Sequence, residues 1–345
     1  MRIDVIAFSS KGCALAKKIA DALNVHEFRR FAKTSGAMHG ATPVASAAER
    51  IAASFGESDA LIFIGAAGIA VRYIAPHVKD KSTDPAVIVI DELGKNIIPI
   101  LSGHIGGANK LASEIGEKIG CNVIITTATD LNDVFAVDVF AAENDMHIEN
   151  VAAVKKISSR LLEGRPVHLR SDITIEGDLP KGITYADTGE AGIYISASAS
   201  PDPFKDTLRL VPRIMTLGVG SHRDIDPNVF EERVLDVLRR NNISINSVRA
   251  GGSIDLKRNE KGMIRFFEKH KIPLTFFSKE ELERIEGEFT GSDYVKSITG
   301  VENVCERSAV AVSRGGKIIV KKDAGEGVTA AVAKEERVIR FGDVR

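Results

Sequence analysis

IIPILSGHIGGANKLASEIGEKIGCNVIITTATD, residues 97–130, reads as a strand, a glycine-rich loop, an amphipathic helix and a second strand. Apolar residues recur at Ile105, Ala108, Leu111, Ala112, Ile115 and Ile119, the spacing of one helical face, while Asn109, Lys110, Glu114, Glu117 and Lys118 fall on the others. The helix is therefore predicted to begin at or just after His104. That places Gly103, Gly106 and Gly107 where the first backbone N–H groups of a helix have no intrahelical partner, and where missing side chains let a bound group come close. Such a loop suits an oxygen-rich ligand. It equally suits a strand-to-helix turn in which glycine only permits tight packing, and the stretch alone leaves both readings open.

The alternation continues toward the N-terminus. Residues 3–8 (IDVIAF), 59–65 (DALIFIG) and 86–91 (AVIVID) read as strands, and residues 11–23 and 43–55 as helices. Strands alternating with helices predict a mostly parallel sheet covered on both faces. Ligands bind such sheets at the carboxyl ends of the strands, so GAAGIA (65–70), SGHIGG (102–107) and TTATD (126–130) are expected to meet along one edge.

Residues 135–211 change character: helical periodicity survives mainly in VAAVKKISSRLLEG, and the remainder is short strands broken by EGDLPKG and SASPDPF. Alternation then restarts with RIMTLGVG (213–220), a helix after Asp226, the strand region INSVRAGGSID, the helical NEKGMIRFFEKHK, the strand PLTFF, the helix KEELERIEG, and VENVCERSAVAVSRGG leading into IIVKK. The expected organisation is two α/β domains with mostly parallel sheets, residues 1–130 and 213–345, joined by a small central α+β module and linker, residues 131–212.

The chain has 345 residues, of which 44% are hydrophobic and 27% charged, values of a globular protein with real cores. No apolar run is long enough to span a bilayer, and MRIDVIAFSS reads as a first strand rather than a signal peptide, so a cytoplasmic protein is expected. A formal net charge of −1 argues against nucleic-acid or acidic-membrane binding and leaves any anionic ligand to local cations. Cys13, Cys121 and Cys305 have no metal-ligand spacing and are assigned no chemistry. The dinucleotide fingerprint is approached at residues 218–223, but Arg223 stands where its third glycine belongs. The phosphate-loop pattern is approached at residues 103–110, but Ala108 and Asn109 break its spacing and no hydroxyl follows Lys110. With HExxH and GxSxG also absent, hydrolysis by a side-chain-activated water is the simplest enzymatic use of these loops.

Residues 65–130, from GAAGIAVRYIAPHV to NVIITTATD, resemble the N-terminal domain of the cobalt-precorrin-5A hydrolase (CbiG) family of anaerobic cobalamin biosynthesis. LGVGSHRD (217–224), SIDLKRNEKG (253–262), PLTFFSKEEL (273–282) and GVENVCERSAV (300–310) are similar to that family's C-terminal domain, and the segment between is where the family carries a variable central domain. RAGG (249–252) departs from the expected pattern by its glycines.

The resemblance implies a hydrolase that acts on a C–C bond of the corrin-ring precursor, a tetrapyrrole of vitamin B12 biosynthesis. It would open the ring A δ-lactone of cobalt-precorrin-5A and release acetaldehyde to give cobalt-precorrin-5B. It implies no cofactor or metal of the protein's own, because cobalt arrives with the substrate; cobalt-precorrin-5A is the expected partner, and a homodimer is left open. A lactone carbonyl attacked by water develops an oxyanion, for which the N–H groups of Gly106 and Gly107 are the candidate donors. His104 and Asp130 are the candidate bases. Gly65, Gly68, Arg72, Ser102, Gly103, Lys110, Thr126 and Thr127 in the first domain, and Gly218, Gly220, Arg223, Asp255 and Lys257 in the third, are the candidate substrate contacts, with Lys79 and Lys81 as further cations near the first loops. Each has a plainer reading: His104 as a helix cap, Asp130 as an N-cap, Arg72 as a surface cation, Asp91 as punctuation of the turn DELG. In SIDLK the polar trio Ser253, Asp255 and Lys257 is expected on one side of an extended segment, opposite Ile254 and Leu256, as a site or as a solvated face. A different class of function is a non-catalytic corrinoid-binding or handover protein in which His104 or His222 approaches the cobalt.

Overall fold

The computed structural model describes residues 1–23, 25–80, 83–103, 106–127, 131 and 134–341, and the chain divides into two compact units, Met1–Val139 and Phe140–Arg345. His104, Asp130 and Lys81 lie outside the described residues. No described helix is long and apolar enough to cross a membrane.

The first unit is built on a seven-stranded sheet. In chain order its elements are β1 (Arg2–Ala7), α1 (Ser10–Leu23), β2 (Glu27–Ala32), β3 (Thr42–Pro43), α2 (Ala47–Glu57), β4 (Ala60–Ile64), α3 (Ala67–Ile74), β5 (Ala86–Ile90), β6 (Asn96–Leu101), α4 (Ala108–Ile119) and β7 (Asn122–Val123). The strand order is β3-β2-β1-β4-β5-β6-β7. The run ALIFI of β4 is buried throughout because helices cover both faces: Ala60, Ile62 and Ile64 pack with α1 and α4, while Leu61 and Phe63 pack with α2 and α3. The helix expected over residues 43–55 starts later, at Ala47. Thr42 and Pro43 pair with β2, and the Ser46 hydroxyl accepts the N–H of Glu49 as N-cap.

Two strands, β6 and β7, run against the rest. β4 and β5 are parallel, β5 and β6 antiparallel, and β7 is parallel to β6. The reversal is made by the turn that Asp91 opens. Its carboxylate accepts the backbone N–H groups of Leu93 (2.9 Å), Lys95 (3.2 Å) and Asn96 (2.6 Å) and the Asn96 amide (3.1 Å), and Gly94 supplies the left-handed residue at φ 66°. The expectation that three loops meet along one edge is thereby corrected. GAAG follows β4 at the carboxyl end of the parallel strands, whereas Ser102–Gly107 and Thr126–Thr127 follow β6 and β7 at the other end.

The second unit holds two five-stranded sheets. After α5 (Val137–Glu143), which spans the boundary between the units, come β8 (Met146–Ile148), α6 (Val151–Leu162), β9 (Val167–Ser171), β10 (Thr174–Glu176), β11 (Ile183–Tyr185), β12 (Gly189–Ile195) and β13 (Phe204–Pro212). Apart from β10, these strands form a sheet in the order β11-β9-β12-β13-β8, with only β8 antiparallel to its neighbour. The remaining elements are β14 (Met215–Ser221), α7 (Pro227–Arg240), β15 (Val248–Ile254), α8 (Lys261–Lys269), β16 (Leu274–Phe277), α9 (Lys279–Glu283), α10 (Asp293–Thr299), α11 (Cys305–Val312), β17 (Lys317–Gly325), β18 (Val328–Lys334) and β19 (Val338–Arg340). Their sheet has the order β16-β15-β14-β18-β17, parallel through β14 and antiparallel beyond it. β19 returns to pair with β10.

Candidate functional site

The loop after β6 is closed by its own backbone. Ser102 sits at φ 54°, its carbonyl accepts the N–H of Ala108 (3.1 Å), and the carbonyl of Gly103 accepts that of Asn109 (3.0 Å). A side chain on Gly103 would meet the Asn109 amide at 2.8 Å, and one on Gly106 would meet the Ser102 Cβ at 2.3 Å. These two glycines are therefore needed for tight closure, the plainer of the two readings. Gly107 differs: it takes a left-handed conformation (φ 79°, ψ 15°) as N-cap of α4, gives no side-chain cap, and has open space where a Cβ would stand. Gly106 and Gly107 lead directly into α4, while Ala108 and Asn109 spend their N–H groups on the loop.

Two residues that the sequence did not single out as site candidates, Asp84 and Asn109, hold this loop in place. The Ser102 hydroxyl donates to the backbone carbonyl of Asp84 (2.9 Å), and the buried Asp84 carboxylate accepts the N–H of Lys79 (2.9 Å). The buried Asn109 amide donates to the Thr127 hydroxyl (3.1 Å), joining the β6 and β7 ends. Thr126 and Lys110 are exposed beside them. The only signal in sequence for Asp84 was its place before Pro85, and for Asn109 a polar residue next to the apolar stripe of a helix.

At the opposite end of the strands, β1 and β4 diverge: β1 connects to β2 on one side, and the chain returns to β4 on the other. Such a switch point opens a crevice in a doubly wound sheet. Ser9 stands there, accepting the N–H of Gly12 (3.0 Å) and donating to the Glu92 carboxylate. Gly65 donates its N–H to the carbonyl of Ile90 (2.9 Å), and Gly68, in the first turn of α3, faces open space. Arg72 is exposed in the last turn of the same helix. Gly65, Gly68 and Arg72 are thus grouped with each other and separated from the Ser102 cluster by the length of the strands.

In the second unit, the loops after β14 and β15 are tied together by the buried Glu260. Its carboxylate accepts the N–H groups of Asp224 (3.2 Å) and Ile225 (3.1 Å), and Lys257 approaches it to 3.8 Å. Arg223 and Asp255 are exposed in those two loops. The extended reading of SIDLK is corrected: the strand ends at Ile254, a short 3-10 turn carries Asp255–Lys257, and Leu256 is thrown outward with 64% of its surface exposed. Gly218 is corrected too. A Cβ there would lie 1.7 Å from the carbonyl oxygen of Cys305, so Gly218 lets α11 rest on β14 and is buried away from any ligand. Gly220 is partly exposed, with the Thr329 hydroxyl 2.8 Å from where its Cβ would be. The glycines of RAGG serve the same packing: side chains would strike the Phe267 ring at 2.0 Å from Gly251 and the Ser308 carbonyl at 2.8 Å from Gly252.

Burial pushes the Cys305 thiol up to about 12, and raises those of Cys13 and Cys121 as well, so none is a thiolate nucleophile at neutral pH. Among the described residues no group of three histidine, cysteine or acidic side chains is placed to hold a metal ion.

Three family profiles match the chain in order: Cobalamin synthesis G N-terminal over residues 49–130, Cobalamin biosynthesis central region over 135–212, and Cobalamin synthesis G C-terminus over 215–333. The cobalt-precorrin-5A hydrolase of Salmonella typhimurium strain LT2 is 34% identical over 268 residues, covering 74% of this chain and 76% of that protein. The enzyme of the same name from Priestia megaterium is 32% identical over 297 residues, covering 79% and 78%. A crystal structure of a cobalamin biosynthesis protein G homologue from Sulfolobus solfataricus is 23% identical and covers 96% of this chain and 97% of that one, with a TM-score of 0.42. Identity above 30% across three quarters of both chains, with all three family regions in sequence, makes this chain a member of the cobalt-precorrin-5A hydrolase family.

Proposed function

We propose that this chain is a cytoplasmic cobalt-precorrin-5A hydrolase that opens the ring A δ-lactone and releases acetaldehyde, giving cobalt-precorrin-5B. The observation that carries the reading is the match to two relatives of that name over about three quarters of the chain. The loop from Ser102 to Gly107 supports it chemically. Water adds to the lactone carbonyl, the carbonyl oxygen becomes an oxyanion, and backbone N–H groups that need no rearrangement stabilise it. Gly106 and Gly107 are the proposed donors. His104 is the proposed base that takes the proton from water, with Asp130 as the other candidate. Cobalt belongs to the substrate, so the reading requires no metal or cofactor held by the protein itself.

The peripheral carboxylates of the substrate need cations. Lys110, exposed beside the Ser102 loop, is the proposed partner. Incubation of the purified protein with cobalt-precorrin-5A tests the whole reading: acetaldehyde is released in step with substrate loss. A corrinoid carrier would shift the absorption spectrum and leave no aldehyde.

A further inference from the structure

The central module contains a cleft to which the proposed chemistry assigns no role. It has a volume of about 340 Å³ and is lined by Lys155, Lys156, Ser159 and Arg160 of α6, by Arg165 just beyond that helix, and by Asp206 of β13, with Ala191 of β12 as its small apolar floor. That volume lies at the lower end of the range for small-ligand sites.

The charge balance is one-sided. Asp206 is the single carboxylate in the lining, and Lys156 donates to it directly. Lys156, with Lys205 and Arg160 adding to the field, holds the Asp206 carboxyl below its usual range, so it stays ionised and engaged. Arg165 is paired with Glu163 at the rim (2.6 Å). Arg160 donates its Nε to the carbonyl of Pro166 (2.9 Å), a neutral acceptor that fixes the guanidinium without cancelling its charge. Lys155 has no carboxylate partner among the described residues. Lys155 thus lines the cleft without a paired carboxylate, and Arg160 lines it with only the field of Asp206 to oppose its charge, on a chain whose formal net charge is −1.

Helix stability does not account for them. Cations favour the last turn of a helix, and only Arg160 lies in the last turn of α6. Lys155 and Lys156 stand mid-helix, where the dipole gains nothing from them. Neighbouring like charges repel unless a counter-charge is supplied, and a forked guanidinium beside flexible ammonium groups is the donor set that carboxylates and phosphates select.

We propose that this cleft is an anion site for a small ligand carrying two or more carboxylate or phosphate groups, held by Lys155 and Arg160 with Arg165 at the rim. The ligand is either the carboxylate fringe of the tetrapyrrole substrate or a free polyanionic metabolite, and the chemistry that recognises it is the same.

The test is calorimetric titration of the full chain with citrate and with pyrophosphate at constant ionic strength, with chloride as the control anion. At least one polyanion is expected to bind saturably, to bind more weakly as salt is raised, and to lose at least about tenfold in affinity in Lys155→Glu. Lys155→Glu/Arg160→Glu should abolish the isotherm; if the double variant fails to melt cooperatively, the exposed single position carries the test. Absence of binding by either polyanion, or affinity unchanged in Lys155→Glu, overturns the proposal. Turnover separates the two sources. A raised KM for cobalt-precorrin-5A in Lys155→Glu with kcat retained, and competition by citrate, identify the substrate's own carboxylates; unchanged KM with citrate binding lost identifies a free polyanion. Because binding is measured without turnover, failure of the hydrolase reading leaves this result legible.

Discussion

The hydroxyl of Ser102 donates to the backbone carbonyl of Asp84, 2.9 Å away, and this contact fixes the glycine-rich loop at the amino end of β5. Gly65 donates its N–H to Ile90 at the carboxyl end of the same strand. The two loops that sequence grouped as one site therefore belong to opposite ends of the sheet, and they make separable predictions. Gly68 has open space before its Cβ position and an ordinary φ, so Gly68→Val should fold. With the chemistry at the Ser102 loop, Gly68→Val should change kcat/KM by less than about threefold, whereas Gly107→Val, which keeps the N–H but forces a branched side chain onto a left-handed residue of that loop, should lower it by about 10² or more. Steady-state kinetics with melting curves decide it. Equal losses in both variants would mean that the crevice between β1 and β4 takes part.

Asp91 makes that separation by reversing the chain between β5 and β6. Burial alone would push its carboxyl up, but the N–H groups of Lys95, Asn96 and Leu93 and the Asn96 amide outweigh it and hold the carboxyl below the usual range. A depressed native pKa stabilises the fold above the unfolded value of about 3.9 and ceases to do so as pH falls through the native value. Asp91→Ala should therefore cost about 2–4 kcal/mol at pH 7, since several charge-assisted bonds are lost together. The difference from the parent should begin to shrink below about pH 4, where the unfolded chain takes up the proton first, and should be lost as pH falls through the lower native value. Urea unfolding at pH 7 and pH 3 checks both the cost and its sign.

The elements legible in sequence were those written in local pattern. The ALIFI run announced a strand covered on both faces, and the apolar stripe from Ala108 to Ile119 announced α4, because period and burial leave their mark within a few residues. Strand direction leaves no such mark. DELG was legible as a turn, but whether the strand after it joins the sheet parallel or antiparallel depends on pairing with residues already placed, so the reversal of β6 and the splitting of the site went unseen. Glycines were ambiguous for a related reason: Gly107 is open and Gly218 lies beneath a helix, and both read as loop glycines beside a strand. The extended reading of SIDLK failed at Asp255, where the backbone turns and sends Leu256 into solvent.

Gly218 gives a sharp structural prediction. Because a Cβ would lie 1.7 Å from the Cys305 carbonyl and 2.5 Å from the Ala309 nitrogen, both backbone atoms, neither can yield without moving α11. Gly218→Ala should destabilise the second unit by about 3 kcal/mol or more, as severe overpacking does. Cys305 reports the effect. Its thiol is buried and pushed up to about 12, so it should resist a thiol reagent at pH 8 in the parent and become reactive in Gly218→Ala as α11 lifts. Unchanged labelling and an unchanged melting temperature would refute the packing role.

His104 carries the prediction on which the proposed chemistry turns. Its loop is pinned on one side by the Ser102–Asp84 contact and on the other by the carbonyls of Ser102 and Gly103 accepting from Ala108 and Asn109, so removal of the imidazole should leave the helix start intact. If His104 takes the proton from the attacking water, His104→Ala should lower kcat by about 10²- to 10⁴-fold with KM little changed, the usual worth of a positioned general base. The base must be neutral to act, so the parent's kcat/KM should rise with pH along an acid limb, and that limb should vanish from the residual activity of the variant. Acetaldehyde release across pH 5–9 measures both features. Turnover within about tenfold of the parent, with the acid limb kept, would exclude His104 as the base. Asp130→Asn is then the variant that should carry the loss.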